Sequence, residues 1–103
     1  MAKFIYNTTY LVADRLFNPW FKWLTEVHIP NMLGTGSFTS PQIAKVLTED
    51  KEQEGVSVSV QFLVNDLITL QLWEENDAEL MQIDLASRFG TEVLSFSTVL
   101  ELF

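Results

Sequence analysis

The chain has 103 residues, no cysteine, and a formal net charge of −8 from 14 acidic and 6 basic residues. That length fits one domain, residues 1–103, and a hydrophobic content of 48% with 13% aromatics excludes a disordered chain. The missing cysteine excludes disulfides, thiolate chemistry and zinc–thiolate sites, and the acidic balance argues against nucleic acid or an anionic membrane as partner.

Residues 3–12 read as a strand, rich in aromatic and β-branched side chains and free of breakers. Phe4, Tyr6, Thr8, Tyr10 and Val12 fall on one face, and Ile5, Asn7, Thr9 and Leu11 on the other. No basic region, long apolar run and small-residue cleavage site precedes it, and no apolar run reaches the roughly 20 residues that cross a bilayer. The expectation is a cytoplasmic protein with no membrane partner.

The densest stretch follows, Asn18-Pro19-Trp20-Phe21-Lys22-Trp23-Leu24-Thr25-Glu26-Val27-His28-Ile29-Pro30. Asn18 can cap a helix and Pro19 can take its first position. Trp20, Phe21, Trp23, Leu24 and Val27 form a broad apolar stripe. Pro30 disfavours a helical Ile29, which predicts a helix end near His28. Residues 29–36 then read as a connection.

Residues 38–48 read as a strand that Pro41 confines to an edge or a strand start. Residues 49–55 are a charged hairpin tip. Residues 56–64 alternate cleanly, with Val56, Val58, Val60, Phe62 and Val64 on one face and Ser57, Ser59, Gln61 and Leu63 on the other. Asn65 or Asp66 can cap a second helix over 67–89, which either bends near Asn76-Asp77 or is buried on several sides. Gly90 sits where a left-handed cap belongs. The last strand, 93–103, is expected to turn Leu94, Phe96, Thr98, Leu100 and Leu102 to the helices.

The order strand, helix, strand, strand, helix, strand predicts an α+β, ferredoxin-like βαββαβ fold. Its four-stranded antiparallel sheet carries two helices on one face. The other face should then carry Ile5, Asn7, Thr9, Leu11, Ser57, Ser59, Gln61, Leu63, Val93, Ser95, Ser97 and Val99. A set so poor in charge suits a covered surface, and a second copy of the sheet stacked by two-fold symmetry is the simplest cover.

Candidate chemistry centres on His28, the one side chain with an ordinary pKa near neutrality. It reads either as a structural cap on the carbonyls of its own helix end or as an acid–base or ligand group. No nucleophile elbow or Walker sequence is present, and Gly34-Thr35-Gly36 lacks the rest of a dinucleotide fingerprint. One histidine and scattered carboxylates predict no metal site, and the acidic run from Glu49 to Glu54 lacks EF-hand spacing. Tyr6, Trp20 and Trp23 are candidate ligand-binding residues, with core packing as the alternative for the tryptophans.

Ile5-Tyr6-Asn7, Trp23-Leu24 with Glu26-Val27-His28-Ile29-Pro30, Thr35-Gly36 with Phe38-Thr39-Ser40, Arg88-Phe89-Gly90 and Phe96-Ser97-Thr98-Val99-Leu100-Glu101 together resemble a small bacterial family of unknown function. The resemblance covers nearly the whole chain and implies the dimeric α/β-barrel type of ferredoxin-like protein. Such barrels include cofactor-free and haem-degrading monooxygenases, isomerase-like enzymes and non-enzymatic binders. Haem-degrading members take a histidine from the second helix, which has none in this chain, so no cofactor is implied. The expectation is a homodimeric ligand-binding or interaction module, paired through its sheet face and possessing a site for a small organic ligand. The alternative is a cofactor-free enzyme, monooxygenase- or isomerase-like, that uses His28 and Asn7.

Overall fold

A computed structural model describes residues 3–48 and 54–103. Four strands, β1 (Phe4–Val12), β2 (Thr39–Lys45), β3 (Val56–Val64) and β4 (Val93–Glu101), form one antiparallel sheet in the order β2-β3-β1-β4. Two helical segments cross one face of it. The first comprises α1 (Phe17–Trp23), a π-helical turn (Leu24–His28) and α2 (Ile29–Gly34), and the second comprises α3 (Leu67–Asn76) and α4 (Ala78–Phe89). This is the ferredoxin-like α+β arrangement that the element order predicts.

The core lies between sheet and helices. Tyr10 and Val12 of β1 and Val58, Val60, Phe62 and Val64 of β3 meet Trp20, Trp23, Leu24, Met32, Leu70, Trp73 and Leu85 there. Period-2 burial along β1 and β3 produces this single apolar face. Asp66 caps α3 by accepting a hydrogen bond from the Thr69 backbone N–H at 2.7 Å. The second helix breaks at Asp77, which explains why its sequence shows no single apolar stripe.

The first helical segment departs from expectation at both ends. α1 starts at Phe17 without a side-chain cap, so Asn18 and Pro19 lie inside its first turn. Pro30 does not end the helix. The turn before it widens to π geometry, with the Ile29 N–H bonded to the Leu24 carbonyl, and Pro30 falls in the first turn of α2. Pro30 has no N–H to give to the turn before it, and the widened turn leaves room for its ring. The Thr25 hydroxyl donates to the Phe21 carbonyl at 3.0 Å, competing for the acceptors of the preceding turn.

β2 is shorter than expected and is an edge strand, with a register shift between Thr39 and Gln42 that accommodates Pro41. Of the charged tip, residues 49–53 lie outside the described residues.

The faces of β4 are the reverse of those expected. Tyr6 pairs with Val99, Thr8 with Ser97, Tyr10 with Ser95 and Val12 with Val93. Val93, Ser95, Ser97 and Val99 therefore share the helix side with Tyr6, Thr8 and Tyr10, and Leu94, Phe96, Thr98 and Leu100 share the open face. A one-residue difference in register exchanges the two sets. Pairing with β1 fixes that register, and it overrides the greater apolarity of the even-numbered residues.

Two glycines make the fold's tightest demands. Gly90, at the end of α4, has φ +62°, as its place between helix and strand requires, with open space where a Cβ would go. Gly55, entering β3, has φ +94°, and a Cβ there would lie 2.5 Å from the Val12 carbonyl oxygen. Gly90 has ψ −140°, outside the left-handed helical region and in one that glycine alone occupies readily, so Gly90→Ala should destabilise by about 1–3 kcal/mol through backbone strain alone. Gly55→Ala should cost clearly more, because the strands must also part. Urea unfolding of both variants checks the order, and equal losses would contradict it.

Candidate functional site

β1 presents Tyr6, Thr8 and Tyr10 to the helices, and all three carry hydroxyls. The Tyr6 hydroxyl donates to Ser97 Oγ at 3.0 Å, and Thr8 Oγ1 lies 3.0 Å from the same oxygen. The reversed β4 register puts Ser97 there, so the helix side of the sheet has a polar row set among apolar neighbours. At the end of the row the Tyr10 hydroxyl lies 3.5 Å from His28 Nε2.

The π turn places His28. At about 100° per residue, an α-helix would put a residue five positions after Trp23 some 140° around the axis. The wider turn brings the two back together, and the rings stack at 4.9 Å and 23°. Trp23 is fixed in turn, because its Nε1 donates to Asp84 Oδ2 at 3.0 Å and Arg88 Nε donates to Asp84 Oδ1 at 2.9 Å. These bonds tie the first helical segment to α4.

Two spaces share lining residues at this point. An inner cavity of about 30 Å³ lies between sheet and helices, lined by Tyr6, Thr8, Tyr10, Met32, Trp73 and Leu85 among others. An outer cleft of about 320 Å³ is lined by Val27, Asn31, Asp77, Leu80, Asp84 and Arg88. Trp23, His28 and Met81 line both. The inner cavity has room for about two water-sized groups, whereas the cleft is at the lower end of small-molecule sites.

Burial pushes the His28 pKa from 6.5 down to about 4, with the nearby Asp84 carboxylate opposing the shift. Burial also raises the Tyr10 phenol above its ordinary 10, with Tyr6 adding to the effect. Both groups are neutral at pH 7. With the proton on Nδ1, His28 Nε2 accepts from Tyr10; in the other tautomer the ring donates to the phenol oxygen. Asp84 is held below the usual carboxylate range, chiefly by its hydrogen bond from Arg88 and then by that from Trp23.

Of the residues expected at a site, Tyr6, Trp23 and His28 converge on the inner cavity. Asn7 lies on the opposite sheet face, where its Oδ1 accepts from the Ser59 hydroxyl at 2.5 Å and its Nδ2 donates to Thr9 Oγ1. One protomer therefore does not bring Asn7 and His28 together. Trp20 is fully buried against Tyr10 and Phe17. His28 sits within the helical segment, its ring on Trp23 and Tyr10, not at a helix end. Tyr10, Thr8, Ser97, Trp73 and Asp84 were not anticipated, although alternation along β1 already set Tyr10 and Thr8 beside Tyr6. Among the described residues no cluster of three metal-ligating side chains occurs, and no helix is long and apolar enough to cross a membrane.

The family model for a domain of unknown function, DUF4286, matches residues 3–103. The chain belongs to that family. No curated protein matches it. Among solved structures, an ethyl tert-butyl ether d (EthD) family protein from Bacillus halodurans is similar, with TM-score 0.71 and 10% identity, over 97% of this chain and 99% of the other. A candidate antibiotic biosynthesis monooxygenase from Bacillus cereus aligns with TM-score 0.64 and 14% identity, over 99% of this chain and 94% of its own. At such identities the likeness establishes the shared fold.

The half-buried imidazole has a consequence for stability. As pH falls from 6.5 toward 4, the unfolded chain takes up a proton at His28 that the folded chain refuses. Stability is free of this penalty above about 6.5 and declines below it. Asp66 and Asp84 are both held below their ordinary 3.8 and titrate under this window. His28→Phe should therefore gain on the wild type between about pH 7 and pH 4.5. Urea midpoints of both proteins at the two pH values test this, and an unchanged difference would contradict it.

Proposed function

We propose that the protein is a homodimeric module that binds a small, neutral organic molecule where the outer cleft meets the inner cavity. The observation that carries the binding reading is the Tyr10–His28 pair, placed where the two spaces share lining residues. An efficient general acid or base has a pKa near the working pH, and both members of this pair are displaced away from neutrality. Such a pair suits hydrogen bonding better than proton transfer. Val27, Leu80 and Met81 supply apolar contact in the cleft.

The pairing surface is the open sheet face. Its strand positions include Ile5, Leu11, Leu63, Leu94, Phe96 and Leu100, with no Asp, Glu, Lys or Arg among them. Phe96 is 65% exposed and Leu94 58%, which is costly for a face left in water. Two chains of charge −8 repel, and a neutral face is where they can approach. A reducing cytoplasm fits a cysteine-free chain. The cofactor-free enzyme alternative needs a partner for His28 other than Asn7 of its own chain.

Two measurements test this reading. Light scattering at micromolar concentration should give twice 11.8 kDa, and Phe96→Glu should give a monomer, because it would bury an unpaired charge. A monomeric wild type would overturn the pairing. Titration with acetophenone, followed by methyl NMR, should move the Val27, Leu80 and Met81 signals saturably. His28→Phe should weaken that binding, and an unperturbed cleft would overturn the binding reading.

A further inference from the structure

The inner cavity has a chemical bias that the cleft lacks. Trp73 lines it and is only 6% exposed, and among the described residues its Nε1 is buried without a hydrogen-bond partner. Two other donors nearby are committed, and the Gln82 amide belongs to an exposed residue that water can reach. The Tyr6 hydroxyl donates to Ser97, and Trp23 Nε1 donates to Asp84. A buried N–H with no acceptor costs a large part of a hydrogen bond, which a ligand atom in the cavity can recover.

Charge narrows the choice of that atom. The cavity lining holds no Lys or Arg, and no Asp or Glu. Arg88 belongs to the outer cleft, where Asp84 already engages it. A carboxylate pushed inward would lose its water and meet no counter-charge. Size narrows it further, since about 30 Å³ admits an oxygen-bearing group but no ring.

We infer that the inner cavity is the head-group subsite of the ligand site and takes a neutral carbonyl oxygen on the indole N–H of Trp73. The inference rests on the binding reading above and names the ligand's chemistry, a neutral carbonyl compound whose apolar body lies in the cleft. Trp20 provides an internal control. Its Nε1 is also buried without a partner among the described residues, yet it does not line the cavity.

The test follows the three tryptophan indole N–H resonances in ¹⁵N–¹H spectra, assigned by single Trp→Phe variants, during titration with acetophenone, ethylbenzene and benzoate. Acetophenone should move the Trp73 resonance saturably and leave that of Trp20 in place. Ethylbenzene and benzoate should each bind about tenfold more weakly, for want of an acceptor and for the charge respectively. Trp73→Phe should reduce acetophenone to the level of ethylbenzene. If acetophenone and ethylbenzene bind equally, or benzoate binds best, the inference falls while cleft binding stands. A still Trp73 resonance with moving cleft signals has the same meaning. If none of the three binds, both readings fall. Should Trp73→Phe not fold, the wild-type Trp73 resonance decides alone.

Discussion

The candidate site depends on a single wide turn of helix. Without the π geometry of Leu24–His28, Trp23 and His28 would project from different sides of the helix, and the imidazole would not reach Tyr10. Pro30 belongs to the same device. It sits just beyond the turn, where its missing N–H is tolerated, and the chain continues as helix far enough to place Asn31 in the cleft and Met32 in the core. The ring stack is then held from the far side by Asp84, which receives hydrogen bonds from both Trp23 and Arg88. A local change in helical pitch is thereby coupled to the packing of the two helical segments against each other.

The register of β4 has two effects at once. It carries Ser97 to the helix side of the sheet, where it meets Tyr6 and Thr8, and it turns Leu94, Phe96 and Leu100 to the open face. The helix side gains a hydroxyl partner for Tyr6 and Thr8 that β1 alone does not supply. The exterior gains an apolar, charge-free surface on a strongly acidic molecule. Both effects follow from pairing β4 with β1 one way and not the other.

Much of this was legible in the sequence. Alternation in β1 and β3, the Asp66 cap, the break near Asn76-Asp77, the glycine at 90 and the edge position signalled by Pro41 are local signals, and the element order gave the ferredoxin-like topology. Three things were not legible. The last strand is amphipathic in both senses, since one set of alternate residues is polar and the other apolar while both faces of the sheet have something to bury, so composition could not orient it. The rule that proline ends a helix failed because the preceding turn widened. His28 looked like a terminal cap for the same reason. Asn7 shares a strand with Tyr6, and adjacent strand residues point apart, so a common site for Asn7 and His28 was geometrically unfavourable from the start.

The central claim is that His28 is a neutral, half-buried hydrogen-bonding group and not a proton-transfer group. The most direct measurement is an NMR titration of its imidazole nitrogens from pH 8 to pH 4 in the folded protein. The account predicts a neutral ring throughout the physiological range, with a midpoint far below 6.5 and near 4. A midpoint at or above 6.5 would place a protonatable imidazole beside Tyr10 at working pH, and would contradict it.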